Sequence, residues 1–201
     1  VIAKMRQEAK TISEKKLRQN VLRSTLYTCG LIAICLVNLS LAYAQESTNR
    51  VDAKTDWSVF VEDQPTKECW IVSKPTKVVN TRDGKEVSAR RSDILLWVTY
   101  RPSEDINGQV SFTGGYPFDP DKLVELDVGG EKFNLFIGEA EEEREFAWPA
   151  TPSDDAKIRE ALKRGSTAVI SAQSRRGTRT KDTFSLSGFT AALAEAEKRC
   201  G

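Results

Sequence analysis

The chain contains no histidine. That removes Ser-His-Asp and Cys-His catalysis and every imidazole metal ligand. Serine-lysine catalysis would survive, but no S-x-x-K opens a helix beyond the first 44 residues. Cys69 and Cys200 lie 131 positions apart, too far in sequence for a zinc knuckle or a C-x-x-C redox motif. The carboxylates of "FDPDK" (118–122) and "EAEEERE" (139–145) do not match a calcium-loop spacing, and read as a turn and a solvated acidic loop. Gly114-Gly115 lacks the phosphate-loop pattern and the helix that should follow it. No cofactor motif is present. What stands out is "SRRGTRTKD" (174–182), where Arg175, Arg176, Arg179 and Lys181 cluster around Gly177. The functional reading is a contact for an anionic surface: lipid headgroups, lipopolysaccharide, a sialylated glycan or an acidic protein face. The plainer reading is a solvated hairpin whose basic residues guard a strand edge.

Charge along the chain bears on that choice. Residues 1–25 are basic, residues 26–44 ("LYTCGLIAICLVNLSLAYA") carry no charge, and Ala42-Tyr43-Ala44 closes the apolar run. This is the pattern of a secretory signal peptide over 1–44, cut after Ala44. The rival is an uncleaved anchor, since the run is about as long as a minimal membrane span. Contact with the membrane is expected only through this segment, before cleavage. Residues 45–201 then hold 23 Lys+Arg against 27 Asp+Glu, a net charge of −4. An acidic balance argues against nucleic-acid binding, which wants a basic footprint. Of the four cysteines, Cys69 and Cys200 remain, an even count in an exported protein.

The elements that must position these groups are short and mostly extended. Residues 45–56 are polar and read as a flexible lead-in to a single domain over 57–201. Strand signals fall at "WSVFVE" (57–62), "CWIVS" (69–73), "ILLWVTY" (94–100) and "QVSFTG" (109–114). Gly129-Gly130 lies between two alternating runs, a two-residue hairpin signal. Pairing outward sets Val128 against Glu131, Asp127 against Lys132, Leu126 against Phe133 and Val124 against Leu135. Apolar meets apolar on one face and acid meets base on the other, so a one-residue slip is excluded.

Residues 151–165 predict a helix, with Thr151 as N-cap, Pro152 in the first turn and Gly165 past its end. Its apolar stripe is only Ile158, Ala161 and Leu162, which predicts a surface helix. "STAVISAQS" (166–174) and "KDTFSLSG" (181–188) read as strands joined by the turn "RRGTR". Phe189, Ala192, Leu193 and Ala196 share one face of a last helix, and Cys200 falls on that face. It therefore points inward, where a bridge to Cys69 would close nearly the whole domain into one loop; two separate buried thiols are the alternative. Trp57, Trp70, Trp97 and Trp148 lie in strand-like contexts and are expected mostly in the core. About eight strands with two short peripheral helices predict an all-β fold, an antiparallel β-sandwich or flattened barrel.

The order of these features resembles the invasion-associated locus B (IalB) family of exported alphaproteobacterial proteins. The matching residues are Trp57 in "DWSVF", "CWIVSKP" (69–75), "LLWVTYRP", "GGYPF" (114–118), "AW" (147–148), "ALKRGS" (161–166), "DTFSLSGFTAAL" (182–193) and the closing "KRC" (198–200). The resemblance covers nearly all of the chain beyond the leader. It implies that Cys69 and Cys200 are paired. It supplies no catalytic residues. Founding members are linked to bacterial entry into host red cells, while others occur in bacteria that invade nothing.

Two expectations follow. One is a non-enzymatic, exported binding protein, periplasmic, outer-membrane-associated or secreted, that meets an anionic envelope or host-cell surface component through Arg175, Arg176, Arg179 and Lys181. The other is a periplasmic enzyme of unfamiliar type using carboxylates or a Ser-Lys pair. A close pair of buried carboxylates in a cleft would favour the second.

Overall fold

The computed structural model describes residues 49–201. The expected leader and the cleavage site after Ala44 lie outside the described residues. Twelve strands form one antiparallel sheet: β1 (Arg50–Lys54), β2 (Trp57–Glu62), β3 (Glu68–Ser73), β4 (Lys77–Arg82), β5 (Lys85–Glu86), β6 (Leu95–Arg101), β7 (Ile106–Thr113), β8 (Val124–Val128), β9 (Glu131–Ile137), β10 (Phe146–Trp148), β11 (Thr167–Gln173) and β12 (Arg179–Ser185). Among the described residues two helices accompany them, α1 (Pro152–Arg164) and α2 (Phe189–Cys200). The sheet order is β1-β2-β3-β6-β7-β10-β9-β8-β11-β12-β4-β5. The all-β antiparallel class with two short helices is as the sequence predicts.

The hairpin around Gly129-Gly130 has the predicted register, from Val128 opposite Glu131 to Val124 opposite Leu135. Past that register β9 changes neighbour. Residues 131–135 pair with β8, while Phe136 and Ile137 pair with β10. The sheet therefore folds over at β9 and its two halves face each other. Phe112 on β7 meets Phe184 on β12 edge to face, with ring centroids 6.2 Å apart, although the two strands stand well apart in the sheet order. The Trp57 indole N–H likewise crosses from β2 to donate to the Ser185 carbonyl at 3.0 Å. Inward residues of both halves, among them Val59, Ile71, Val98, Val110, Leu126 and Ile170, are fully buried and form one core.

Four strands were not anticipated. Residues 50–54, expected as flexible lead-in, form β1 and pair with β2. β4 and β5 close the opposite edge, and β10 is three residues long. Edge strands and very short strands are covered on few sides, so their sequences carry little alternation.

α1 also departs from expectation. Thr151 caps it as predicted, its hydroxyl oxygen accepting from the Asp154 N–H at 3.2 Å. But Ile158, Ala161 and Leu162 are buried in the main core, so the narrow stripe docks the helix rather than leaving it on the surface. Gly165 follows with extended backbone (φ −79°), so its need for glycine is steric. A Cβ there would lie 2.6 Å from Val128 Cγ1.

Cys69 and Cys200 are joined, with S–S 2.03 Å and Cα–Cα 5.8 Å. Beside the bridge the Tyr100 hydroxyl donates to Glu197 Oε1 at 2.9 Å, so two contacts tie the end of α2 to β3 and β6. Burial and the neighbouring Glu197 carboxylate push the Tyr100 phenol well up.

Of the four tryptophans only Trp57 is fully buried, where it packs edge to face on Phe189. Trp70 stacks on Phe60 at 5.3 Å, and Trp97 meets Phe146 at 6.0 Å. These rings are half-buried, on the sheet face opposite the core. The alternation of β3 and β6 puts Cys69, Ile71, Leu96 and Val98 inside and turns both indoles out.

Candidate functional site

Three segments far apart in sequence enclose a cleft of 560 Å³. One is β4 with the chain that follows β5, residues 80–91. The second is Gly115–Pro117 after β7. The third is the Ser174–Thr178 turn between β11 and β12. The cleft is lined by Arg82, Arg90, Arg91, Arg175 and Arg176, with Glu145 as the single carboxylate.

Arg91 builds the floor. Its Nη1 and Nη2 donate to Asp182 Oδ1 and Oδ2 at 2.8 and 2.5 Å, a two-pronged pair between side chains that are 5% and 0% exposed. Its Nε donates to the Gly114 carbonyl at 2.8 Å and Nη1 also reaches Asn80 Oδ1 at 3.3 Å. The guanidinium lies over the Tyr116 ring, 5.0 Å from its centroid. Tyr116 in turn shares a 2.5 Å hydrogen bond with the Thr180 hydroxyl. Burial pushes the Asp182 carboxyl up, and the Arg91 guanidinium opposes that shift.

Gly115 allows this arrangement. Its φ is +71°, and a Cβ would lie 2.7 Å from the Ser92 carbonyl oxygen. The Ser92 N–H donates to the Gly115 carbonyl at 3.0 Å. The chain carrying Arg90 and Arg91 is thereby pressed against the end of β7.

The four cations expected to act together are divided by the fold. Arg175 and Arg176 line the cleft. Arg179 and Lys181 lie on β12, where Thr180 and Asp182 alternate inward and are buried. The period of the strand sends Arg179 and Lys181 to the other face, into a more open depression with Lys122, Leu123 and Glu125. The turn itself is tight as predicted. The Gly177 N–H donates to the Ser174 carbonyl at 2.8 Å and Gly177 has φ +79°.

In place of Arg179 and Lys181 the structure supplies Arg82, Arg90 and Arg91. Arg82 donates to Thr178 Oγ1 at 2.5 Å. The Arg90-Arg91 doublet was visible in the sequence, but the Asp182 carboxylate that Arg91 holds lies 91 residues away.

A second buried carboxylate has a different task. β10 is short, so β7 is paired on that side only at Phe112 and Thr113. α1 covers the rest: Asp155 Oδ1 accepts from the Val110 N–H at 2.7 Å, and Arg159 donates to the Gly108 carbonyl. This shields an open strand edge. Burial pushes the Asp155 carboxyl up to about 6, while the Val110 N–H and Arg159 act against it.

A folded-state value above the ordinary one favours folding below about pH 4, and that contribution is lost as pH rises through about 6. Asp155→Asn keeps an acceptor for Val110 and removes the titration. The stability difference between the two proteins should shift in the variant's favour as pH rises from about 4 to about 7. Urea unfolding at several pH values reads this. A pH-independent difference would mean that Asp155 does not titrate in that window.

Each buried carboxylate thus has its own partner. Among the described residues no group of three or more His, Cys, Asp or Glu side chains is placed to hold a metal ion. Among the same residues no helix is long and apolar enough to cross a membrane.

Among solved structures, the crystal structure of invasion associated protein B from Bartonella henselae is similar, with a TM-score of 0.50 at 15% identity. The match covers 73% of this chain and 95% of that one. At this identity the likeness shows the fold. No curated protein matches the chain. The family model described as invasion associated locus B (IalB) protein matches residues 57–197, from Trp57 in β2 to Glu197 in α2. That span contains eleven of the twelve strands and the whole cleft, and the chain belongs to the invasion-associated locus B family.

Proposed function

We propose that the protein is an exported, non-enzymatic binding protein that engages an anionic component of the bacterial envelope or of a host-cell surface. The observation that carries this reading is the cleft: besides Arg91, whose charge Asp182 balances, four guanidinium groups face one carboxylate in a domain whose overall balance is acidic. Arg90, Arg175 and Arg176 make no ion pair with any described residue, so their charge is free for a ligand. Arginine's planar fork suits phosphate, sulfate and carboxylate groups. Export is supported by the leader pattern of residues 1–44 and by a disulfide of the kind that persists outside the cytosol. Membership of an invasion-associated family makes attachment to a host cell the natural setting for such contact. The enzyme reading loses its best support because Asp182 is held by Arg91 and Asp155 by Val110, so the two buried carboxylates are not offered as a pair.

Retention on a sulfated polysaccharide matrix tests the reading. Residues 45–201 should bind heparin-agarose at low salt and elute as salt rises, because screening weakens exposed charge contacts. Arg90→Gln/Arg175→Gln/Arg176→Gln should elute much earlier with an unchanged melting temperature, since exposed side chains away from the core cost little. Loss of retention without loss of fold supports the cleft. A triple variant that elutes with the wild type, or a wild type that no anionic matrix retains, rules it out.

A further inference from the structure

We propose that the ligand of the arginine cleft is a phosphorylated saccharide, an inference that rests on the anion-binding reading above. Shape comes first. The site is concave, and its volume of 560 Å³ falls within the range of small-molecule sites. Arg91, Tyr116 and Thr180 lie at its floor, beyond the reach of a flat charged surface. A group that projects into the cleft meets this floor as well as the exposed Arg90, Arg175 and Arg176.

Chemistry narrows the group. Arg175 and Arg176 on one wall and Arg90 on the other present forked donors with no internal partner. A phosphate monoester carries about 1.5–2 negative charges and three acceptor oxygens, so it can accept from more than one such fork. Of the other polar lining, the Ser174, Thr178 and Thr180 hydroxyls already have partners within the protein, which leaves the Ser88 hydroxyl and the Glu145 carboxylate for ligand. A hydroxyl that donates and accepts and a carboxylate that accepts match the O–H groups of a polyhydroxylated ring.

The apolar lining is small: Val87, Ala89, Tyr116 and Pro117. It covers one ring and offers no channel for an acyl chain. Tyr116 is held in place by Thr180 and Arg91, so the aromatic part of the site is formed before ligand arrives.

Isothermal titration of residues 45–201 with glucose 6-phosphate, glucose and inorganic phosphate separates the contributions. Glucose 6-phosphate should bind about tenfold or more tighter than inorganic phosphate, and glucose alone should not bind measurably. Arg175→Gln/Arg176→Gln should weaken glucose 6-phosphate by about tenfold or more, while Arg179→Gln/Lys181→Gln, the same charge change on the other face, should leave it within about twofold. A sugar phosphate can be presented free or on a lipid. Vesicles carrying a diphosphorylated glucosamine lipid, set against phosphatidylglycerol vesicles, show which source the protein favours, and selectivity for the sugar-bearing lipid supports the proposal. If inorganic phosphate or phosphatidylglycerol vesicles bind as well as the sugar phosphates do, the saccharide is wrong and anion binding stands. Equal loss in the two double variants also overturns it, because the attraction would then be diffuse. If no anionic probe binds, both readings fall together.

Discussion

Replacing Arg91 by methionine should destabilise the protein by about 3–5 kcal/mol at neutral pH, the usual cost of stranding one member of a buried ion pair. Asp182 is fully buried, and both its carboxylate oxygens are held by Arg91. Without the guanidinium no positive charge offsets its burial. The carboxyl, already raised, should rise further until it is protonated in the folded state. A group of this kind favours folding below its unfolded value and loses that contribution as pH rises through its folded value. The deficit of Arg91→Met should therefore be largest near neutrality and shrink as pH falls toward about 4. Adding Asp182→Asn should recover a substantial part of the loss, because the stranded charge is removed with its partner. Chemical unfolding of the wild type, both single variants and the double variant at two pH values measures the coupling. A loss below about 1 kcal/mol with no pH dependence would show that the pair does not support the fold. The same variant should bind anions poorly even where it remains folded. Asn80, Gly114 and Tyr116, all cleft or cleft-edge residues, are held together by Arg91.

Breaking the disulfide should have an effect of similar size by a different route. The bridge joins residues 131 positions apart. In the chain-entropy account, a loop of that length lowers the stability of the reduced protein by about 5 kcal/mol through the unfolded state. This is a large part of the 5–15 kcal/mol of net stability typical of a domain, so the open form should be marginally stable. Cys69→Ala, Cys200→Ala and the double variant should lose nearly the same amount, since either change removes the whole link. The end of α2 should loosen first, because beyond the bridge it is tied to β6 by Tyr100 and Glu197. Hydrogen exchange in residues 194–200 reads that loosening. Losses that add in the double variant would indicate two independent side chains rather than one link.

Much of the frame was legible in the residues. The 124–135 hairpin could be registered residue by residue because alternating polarity is a local property, and a slip would have exposed an entire apolar face. The α1 cap was readable because Thr151 and Asp154 are three residues apart and meet within one turn. The inward direction of Cys200 followed from its place on the apolar face of α2. β1, β4 and β10 were not readable, since edge and three-residue strands have too little burial to impose a pattern. Asp155 also escaped notice. It reads as one more acid in a helix's first turn, where the dipole favours negative charge, and only the open edge of β7 gives it a buried task.

The cleft divides the two kinds of information most sharply. Sequence alone determined the absence of imidazole chemistry, the all-β antiparallel class, the inward face of Cys200 and the presence of a basic turn at Gly177. These depend on composition, on periods of two and 3.6, and on short spacings. It could not determine which cations share a site. Linear proximity grouped Arg175 and Arg176 with Arg179 and Lys181, but a strand turns neighbouring side chains to opposite faces and sends the latter pair away. Pairing of β4 with β12 brings Arg82 to the turn, and the fold-over of the sheet at β9, which sets this half against the end of β7, brings Arg90 and Arg91 there. A site built by long-range packing leaves no periodic trace, because its members are selected by where the chain returns in space and not by their separation along it.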